Sequence, residues 1–76
     1  MKLRVSGQLS FYMPGRVTEI EVPLDQPARL QDVLSGLGIP ADEVYITALN
    51  GEVVDVREVI VRDEDEVRLF PPVSGG

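Results

Sequence analysis

From Lys2 to Phe11 the apolar residues Leu3, Val5, Leu9 and Phe11 alternate with Lys2, Arg4, Gln8 and Ser10. A period of two predicts a strand with one buried face. Met13-Pro14-Gly15-Arg16 has turn chemistry, with proline presetting one corner and glycine tolerating positive φ at the next. Val17 to Val22 resumes the alternation, with Thr18, Ile20 and Val22 on one side, which predicts a first hairpin. Pro23 stops that ladder, and the period then changes. Leu30, Val33, Leu34 and Leu37 fall at i, i+3, i+4 and i+7, the apolar stripe of a helix of about three turns laid on a sheet. Asp25 and Pro27 stand as cap candidate and fixed-φ residue near its start, while Gly36, Gly38 and Pro40 end it at about Leu37.

Beyond a polar turn at Ala41 to Glu43, Tyr45 to Leu49 reads as a strand. It leads into Asn50-Gly51, a two-residue hairpin signal because both residues accept φ > 0, and Val53, Val54 and Val56 continue on the far side. Periodicity alone does not assign Arg57 to Arg62, which is either a connection or a short strand. Asp63-Glu64-Asp65-Glu66 is a charged turn, and Val67 and Leu69 alternate with Arg68 and Phe70 in a last strand. The order ββαββ(β) predicts one α+β domain with the helix packed on one face of a mixed sheet.

Seventy-six residues suffice for one small core. With 43% hydrophobic and 26% charged residues the composition is that of a folded domain. The absence of Cys and His excludes disulfides, thiolate or imidazole zinc sites and Ser-His-Asp chemistry. So small a domain has little room to enclose a catalytic pocket, and a stand-alone enzyme is not expected. The net charge of −6 opposes binding to nucleic acid or to anionic membrane surfaces. The start MKLRVSGQL has no apolar signal region and no stretch nears eighteen apolar residues, so a cytoplasmic location is expected. The acids Asp63 to Glu66 lack the spacing of a calcium loop and read as a solvated run. No glycine-rich phosphate loop leads the helix, so neither a metal nor a bound cofactor is expected in this chain. Tyr12 and Tyr45 read as half-buried rings near strand ends with their hydroxyls in water.

The last seven residues are different in kind. Phe70-Pro71-Pro72-Val73-Ser74-Gly75-Gly76 leaves the final strand through two prolines, which cannot continue a ladder, and finishes in two residues without side chains. From Pro71 such an arm reaches about 20 Å at roughly 3.3 Å per residue. Gly75 and Gly76 can pass a tunnel that larger residues would block, and their freedom in φ and ψ lets a terminal carboxylate turn into line for attack. Phe70 is out of phase with Val67 and Leu69, so its ring is expected to point away from the core. Together with Pro71, Pro72, Val73 and Ser74 it is the expected partner-binding surface.

Leu49-Asn50-Gly51-Glu52, Asp65-Glu66-Val67 and the run from Leu69 to Gly76 resemble the MoaD/ThiS family of ubiquitin-like sulfur carriers. The Phe-Pro-Pro-Val-Ser-Gly-Gly ending is most similar to the branch that serves as small subunit of molybdopterin synthase. The resemblance implies a β-grasp domain over residues 1–70 and an extended tail over 71–76. It implies further that a ubiquitin-activating-like adenylyltransferase uses ATP to adenylate the Gly76 carboxylate, and that a sulfur donor protein then displaces AMP to leave a thiocarboxylate. The molybdopterin synthase large subunit would take up that tail, with Gly75 and Gly76 reactive and side-chain catalysis left to the partners. Three features depart from the family's pattern. Glu64 stands where an Asp-Gly-Asp turn has glycine, the connection from Val54 to Asp63 is about one residue longer than is usual in the family, and residues 1–44 resemble the family only in pattern. A thiamine-pathway carrier shares the diglycine, although its tail generally lacks Phe-Pro-Pro. A ubiquitin-like modifier acting through Gly76 is the other alternative, with Lys2 as the only lysine available for self-conjugation.

Overall fold

The computed structural model describes residues 1–72. Seven strands and one α-helix follow in the order β1 (Lys2–Val5), β2 (Glu19–Glu21), β3 (Ala28–Arg29), α1 (Leu30–Leu37), β4 (Ile46–Leu49), β5 (Glu52–Val54), β6 (Ile60–Val61) and β7 (Glu66–Phe70). The main sheet has the order β2-β1-β7-β4-β5. Its two central strands, β1 and β7, are parallel, with Leu3 beside Val67 and Val5 beside Leu69, and the remaining pairs are antiparallel. β3 and β6 form a separate two-stranded ladder at the start of the helix.

Alternation along the central strands decides which face the helix covers. Leu3, Val5, Val67 and Leu69 are buried against Leu30 and Leu34 of α1, while Arg4, Glu66, Arg68 and Phe70 stand on the other face. Burying side chains of the Leu or Val class contributes about 1.5–3 kcal/mol each, which is how so short a chain sustains a core. Every buried hydrophobic among the described residues is aliphatic or methionine. A mixed five-stranded sheet clasping one helix is the ubiquitin-like β-grasp arrangement. Among the described residues, no helix is long and apolar enough to cross a membrane.

The first strand is shorter than its alternation predicts. β1 ends at Val5, and Gly7–Tyr12 and Pro14–Arg16 are 3-10 segments. Gly7 stands in phase with Leu3 and Val5, at a position where the pattern needs an apolar side chain, and its φ of 57° turns the backbone out of the ladder. Leu9 is still buried, but as a residue of the 3-10 segment, and Phe11 is exposed. The hairpin closes through Val5 N–H donating to the Thr18 carbonyl, with β2 reduced to three residues.

The helix has eight residues instead of three full turns. Neither Asp25 nor Pro27 caps it. Arg29 occupies the N-cap with no side-chain cap, and the Leu30 N–H donates to the Val59 carbonyl. The β3–β6 ladder thus does the work of a cap, and the undecided segment from Arg57 to Arg62 contains the short strand β6. Gly38 closes the helix in the left-handed conformation at φ 84°. Asn50 and Gly51 both have positive φ, as the two-residue hairpin requires.

The charged turn before β7 does without glycine. Asp65 N–H donates to the Arg62 carbonyl at 3.0 Å, and the Asp65 carboxylate accepts the Arg62 N–H at 2.8 Å. Asn50 and Arg16 are the only non-glycine residues with positive φ among those described, so Glu64 meets no conformational penalty where the family's glycine would stand.

Candidate functional site

Parallel pairing of β1 with β7 sends two chain segments out of the same end of the sheet. After Val5 the chain enters the 3-10 segment, and after Phe70 it enters the diproline. Ser6 N–H donates to the Leu69 carbonyl at 3.1 Å, which holds the two exits side by side. β4 runs antiparallel to β7 and begins at this end, so Tyr45 N–H donates to the Phe70 carbonyl at 2.8 Å and Ile46 stands opposite Phe70.

Phe70 is half-buried at the end of β7, on the face opposite Val67 and Leu69. Pro71 is half-buried too, and Pro72 is exposed. Pro71 closes over Gly7, where a Cβ would stand 3.1 Å from the proline Cγ. Lacking N–H groups, the two prolines cannot extend the ladder, so the chain departs from the sheet here for a backbone reason. Three of the seven residues expected to act, Phe70, Pro71 and Pro72, lie together at this root. Val73, Ser74, Gly75 and Gly76 lie outside the described residues.

Sequence reasoning missed the other residues at this end. Phe11 is 66% exposed, Tyr12 38% and Tyr45 69%. Tyr45 is therefore more solvent-exposed than the half-buried packing expected of it. The signal for the missed loop was Gly7, an in-phase glycine that marks a bend in place of a continued strand.

Ionisable groups displaced from their usual pKa lie elsewhere. Arg4 donates from Nε to Glu19 Oε1 at 2.9 Å, and this hydrogen bond and the charge behind it raise the Arg4 pKa and lower that of Glu19. The Asp63 carboxyl is lowered, first by the Leu24 N–H that it accepts at 2.9 Å and then by the positive charge of the Met1 amine. Both sites are exposed, and Asp63 lines a shallow groove with Leu24, Pro27 and Arg62. Among the described residues no three acidic side chains converge as a metal site would require. Asp63 and Asp65 spend their carboxylates on backbone N–H groups of Leu24 and Arg62.

Among the described residues, the root of the tail is the junction at which the chain leaves β7, with Pro71 packed over Gly7. A search of curated proteins finds no match to the chain. A scan against protein-family models matches the ThiS family over residues 11–76, from the 3-10 segment through the diglycine. With the β-grasp sheet, the Asn-Gly hairpin and the diproline exit in place, the chain belongs to the ThiS family, the MoaD/ThiS group of ubiquitin-like sulfur carriers.

Proposed function

We propose that this carrier serves molybdopterin synthesis, as the small, non-catalytic subunit that brings sulfur to the synthase on the Gly76 carboxyl. The observation that carries the reading is the ending Phe70-Pro71-Pro72-Val73-Ser74-Gly75-Gly76, whose diproline follows β7 directly. In the first step a carboxylate oxygen of Gly76 attacks the α-phosphorus of ATP on an activating adenylyltransferase, and pyrophosphate leaves. A hydrosulfide-level nucleophile from a sulfur donor protein then attacks the acyl carbon, the bond to AMP breaks, and a thiocarboxylate remains. Adenylation is needed because a free carboxylate is a poor acyl donor at neutral pH. The synthase large subunit takes the tail and passes the sulfur to a pyranopterin precursor of the dithiolene. Phe70, Pro71 and Pro72 form the start of the surface that the partner grips.

Intact-mass spectrometry after incubation with ATP, the adenylyltransferase and a sulfur source tests the carrier chemistry. The full chain should gain the mass of one oxygen replaced by one sulfur, and a chain lacking Gly76 should not. The ThiS family match equally favours a second reading, delivery of sulfur to thiazole synthesis. Reconstitution separates them. The thiocarboxylated chain should form molybdopterin with the synthase large subunit and should leave thiazole synthase without product, and the reverse result would establish the thiamine reading.

A further inference from the structure

Asn50 is the only asparagine of the chain, and Gly51 follows it. An Asn-Gly pair can rearrange without an enzyme. The Gly51 nitrogen attacks Asn50 Cγ, the Cγ–Nδ2 bond breaks, and the proton of the Gly51 amide leaves with the side-chain nitrogen as ammonia. Water then opens the resulting succinimide at one of its two carbonyls, which yields aspartate or a β-linked isoaspartate. Glycine in the second position favours ring closure because no Cβ stands in the way. Both residues are exposed, so water reaches the site.

The fold ties the reacting carboxamide to a different strand. Asn50 Oδ1 accepts the Glu66 N–H at 2.9 Å, and Nδ2 donates to Asp65 Oδ1 at 3.0 Å. The Asn50 N–H donates to the Glu66 carbonyl at 2.8 Å, so backbone and side chain are both held at the start of β7. Attack on the carbon comes from above the carboxamide plane, and a carboxamide anchored at both its oxygen and its nitrogen is not free to turn that face to the Gly51 nitrogen. The products do not fit the same place. Aspartate at position 50 would set a carboxylate oxygen where Nδ2 now meets the Asp65 carboxylate, so an attraction becomes a repulsion between like charges. Arg68, which shares a shallow groove with Asn50 and Gly51, is already paired with Glu66 at 3.5 Å. Isoaspartate adds a methylene to the main chain and spoils the two-residue loop that sets Leu49 opposite Glu52.

We propose that Asn50 is a deamidation site gated by folding. The native hydrogen bonds to Asp65 and Glu66 suppress ring closure, opening of the hairpin releases it, and the product returns to a weaker junction between the β4–β5 hairpin and β7. The modification thus accumulates with the time a chain spends open, and each event makes the next opening easier. It is independent of the pathway that the carrier serves.

The experiment follows the full chain in mildly alkaline buffer, native and in urea, by intact-mass spectrometry that reads the replacement of one NH by one O. With no second asparagine the change reports on position 50, and methylation by an isoaspartyl methyltransferase identifies the β-linked product. The native chain should convert about tenfold or more slowly than the unfolded one, the ratio implied by two hydrogen bonds of ordinary strength. This comparison needs no variant. Asp65→Ala removes the acceptor of Nδ2 and, where a melt shows it folded, should convert about threefold or more faster than the native parent. Asn50→Asp, which reproduces one product, should melt roughly 4–8 °C below the parent. Combining Asn50→Asp with Asp65→Asn restores an amide facing a carboxylate and should recover most of that loss. Equal rates in native and unfolded chains overturn the proposal, as does faster conversion of the native chain or no conversion in urea. An Asn50→Asp chain that melts with the parent, or a double variant that recovers nothing, overturns the weakening of the junction by charge.

Discussion

Gly7 lies directly beneath Pro71, so close that a Cβ on Gly7 would stand 3.1 Å from the proline Cγ. One residue ends the first strand and the other starts the tail. Their contact couples the fold's first irregular segment to the segment that follows β7. Gly7 also has φ 57°, a conformation that costs other residues about 1–2 kcal/mol. Gly7→Ala is expected to lower stability by about 1 kcal/mol, after allowing for the reduced freedom of its unfolded chain. A melt should show a fall in Tm of roughly 4–8 °C for a domain of this size. An unchanged Tm would show that Pro71 gives way freely and that the root of the tail is not fixed by Gly7.

Asn50 joins the hairpin to the final strand. Its Oδ1 accepts the Glu66 N–H at 2.9 Å, its Nδ2 donates to Asp65 Oδ1 at 3.0 Å, and its backbone N–H donates to the Glu66 carbonyl. Asn50→Ala loses the side-chain bonds and places alanine at φ 51°, for an expected cost of about 2–3 kcal/mol. Asn50→Gly keeps the backbone conformation and isolates the two side-chain bonds, at about 1–2 kcal/mol. Urea denaturation of both variants measures the difference, and equal midpoints would leave the left-handed backbone without an energetic role.

Thr47 is 2% exposed, and its hydroxyl has no protein hydrogen-bond partner. It faces the core beside Leu69, in a position that valine would fill with the same shape. Thr47→Val should raise stability by about 1 kcal/mol, since a buried hydroxyl without a partner is a net cost. The urea midpoint should rise at constant m. A lower midpoint would show that the hydroxyl is satisfied in solution.

Asp63 supplies a pH dependence whose sign is set by its partners. Its folded pKa lies below the unfolded value, so its stabilisation is present above about pH 4 and is lost as pH falls through the folded pKa. Asp63→Asn should therefore have a lower Tm than the parent at pH 7, and the two should converge as pH drops below about 4. A gap in Tm that stays constant down to that range would assign the effect to the shape of the side chain and not to its charge.

Much of this protein is legible in its amino-acid order. The stripe Leu30, Val33, Leu34 and Leu37, the Asn50-Gly51 hairpin and the alternation from Val67 to Phe70 are local signals, set by side-chain period and by which residues tolerate positive φ. The same locality makes the end of β7 readable, because Pro71 and Pro72 lack the N–H groups that a ladder needs.

Where pairing partners are distant in sequence, the local pattern is insufficient. The alternation from Lys2 to Phe11 runs through Gly7 as if the strand continued, whereas the chain leaves the ladder there at φ 57° and packs under Pro71, sixty-four positions away. Ile60–Val61 is a strand because Ala28–Arg29 pairs with it, and that ladder stands in for the helix cap that Asp25 suggested. In the sequence Tyr45 reads as a half-buried ring near a strand end and Phe11 as part of the buried face of the first strand. Parallel pairing of β1 with β7 and antiparallel pairing of β4 with β7 bring both segments to the end of the sheet where β7 finishes, and no period within the chain could have reported that, since it arises from the order of strands across the sheet.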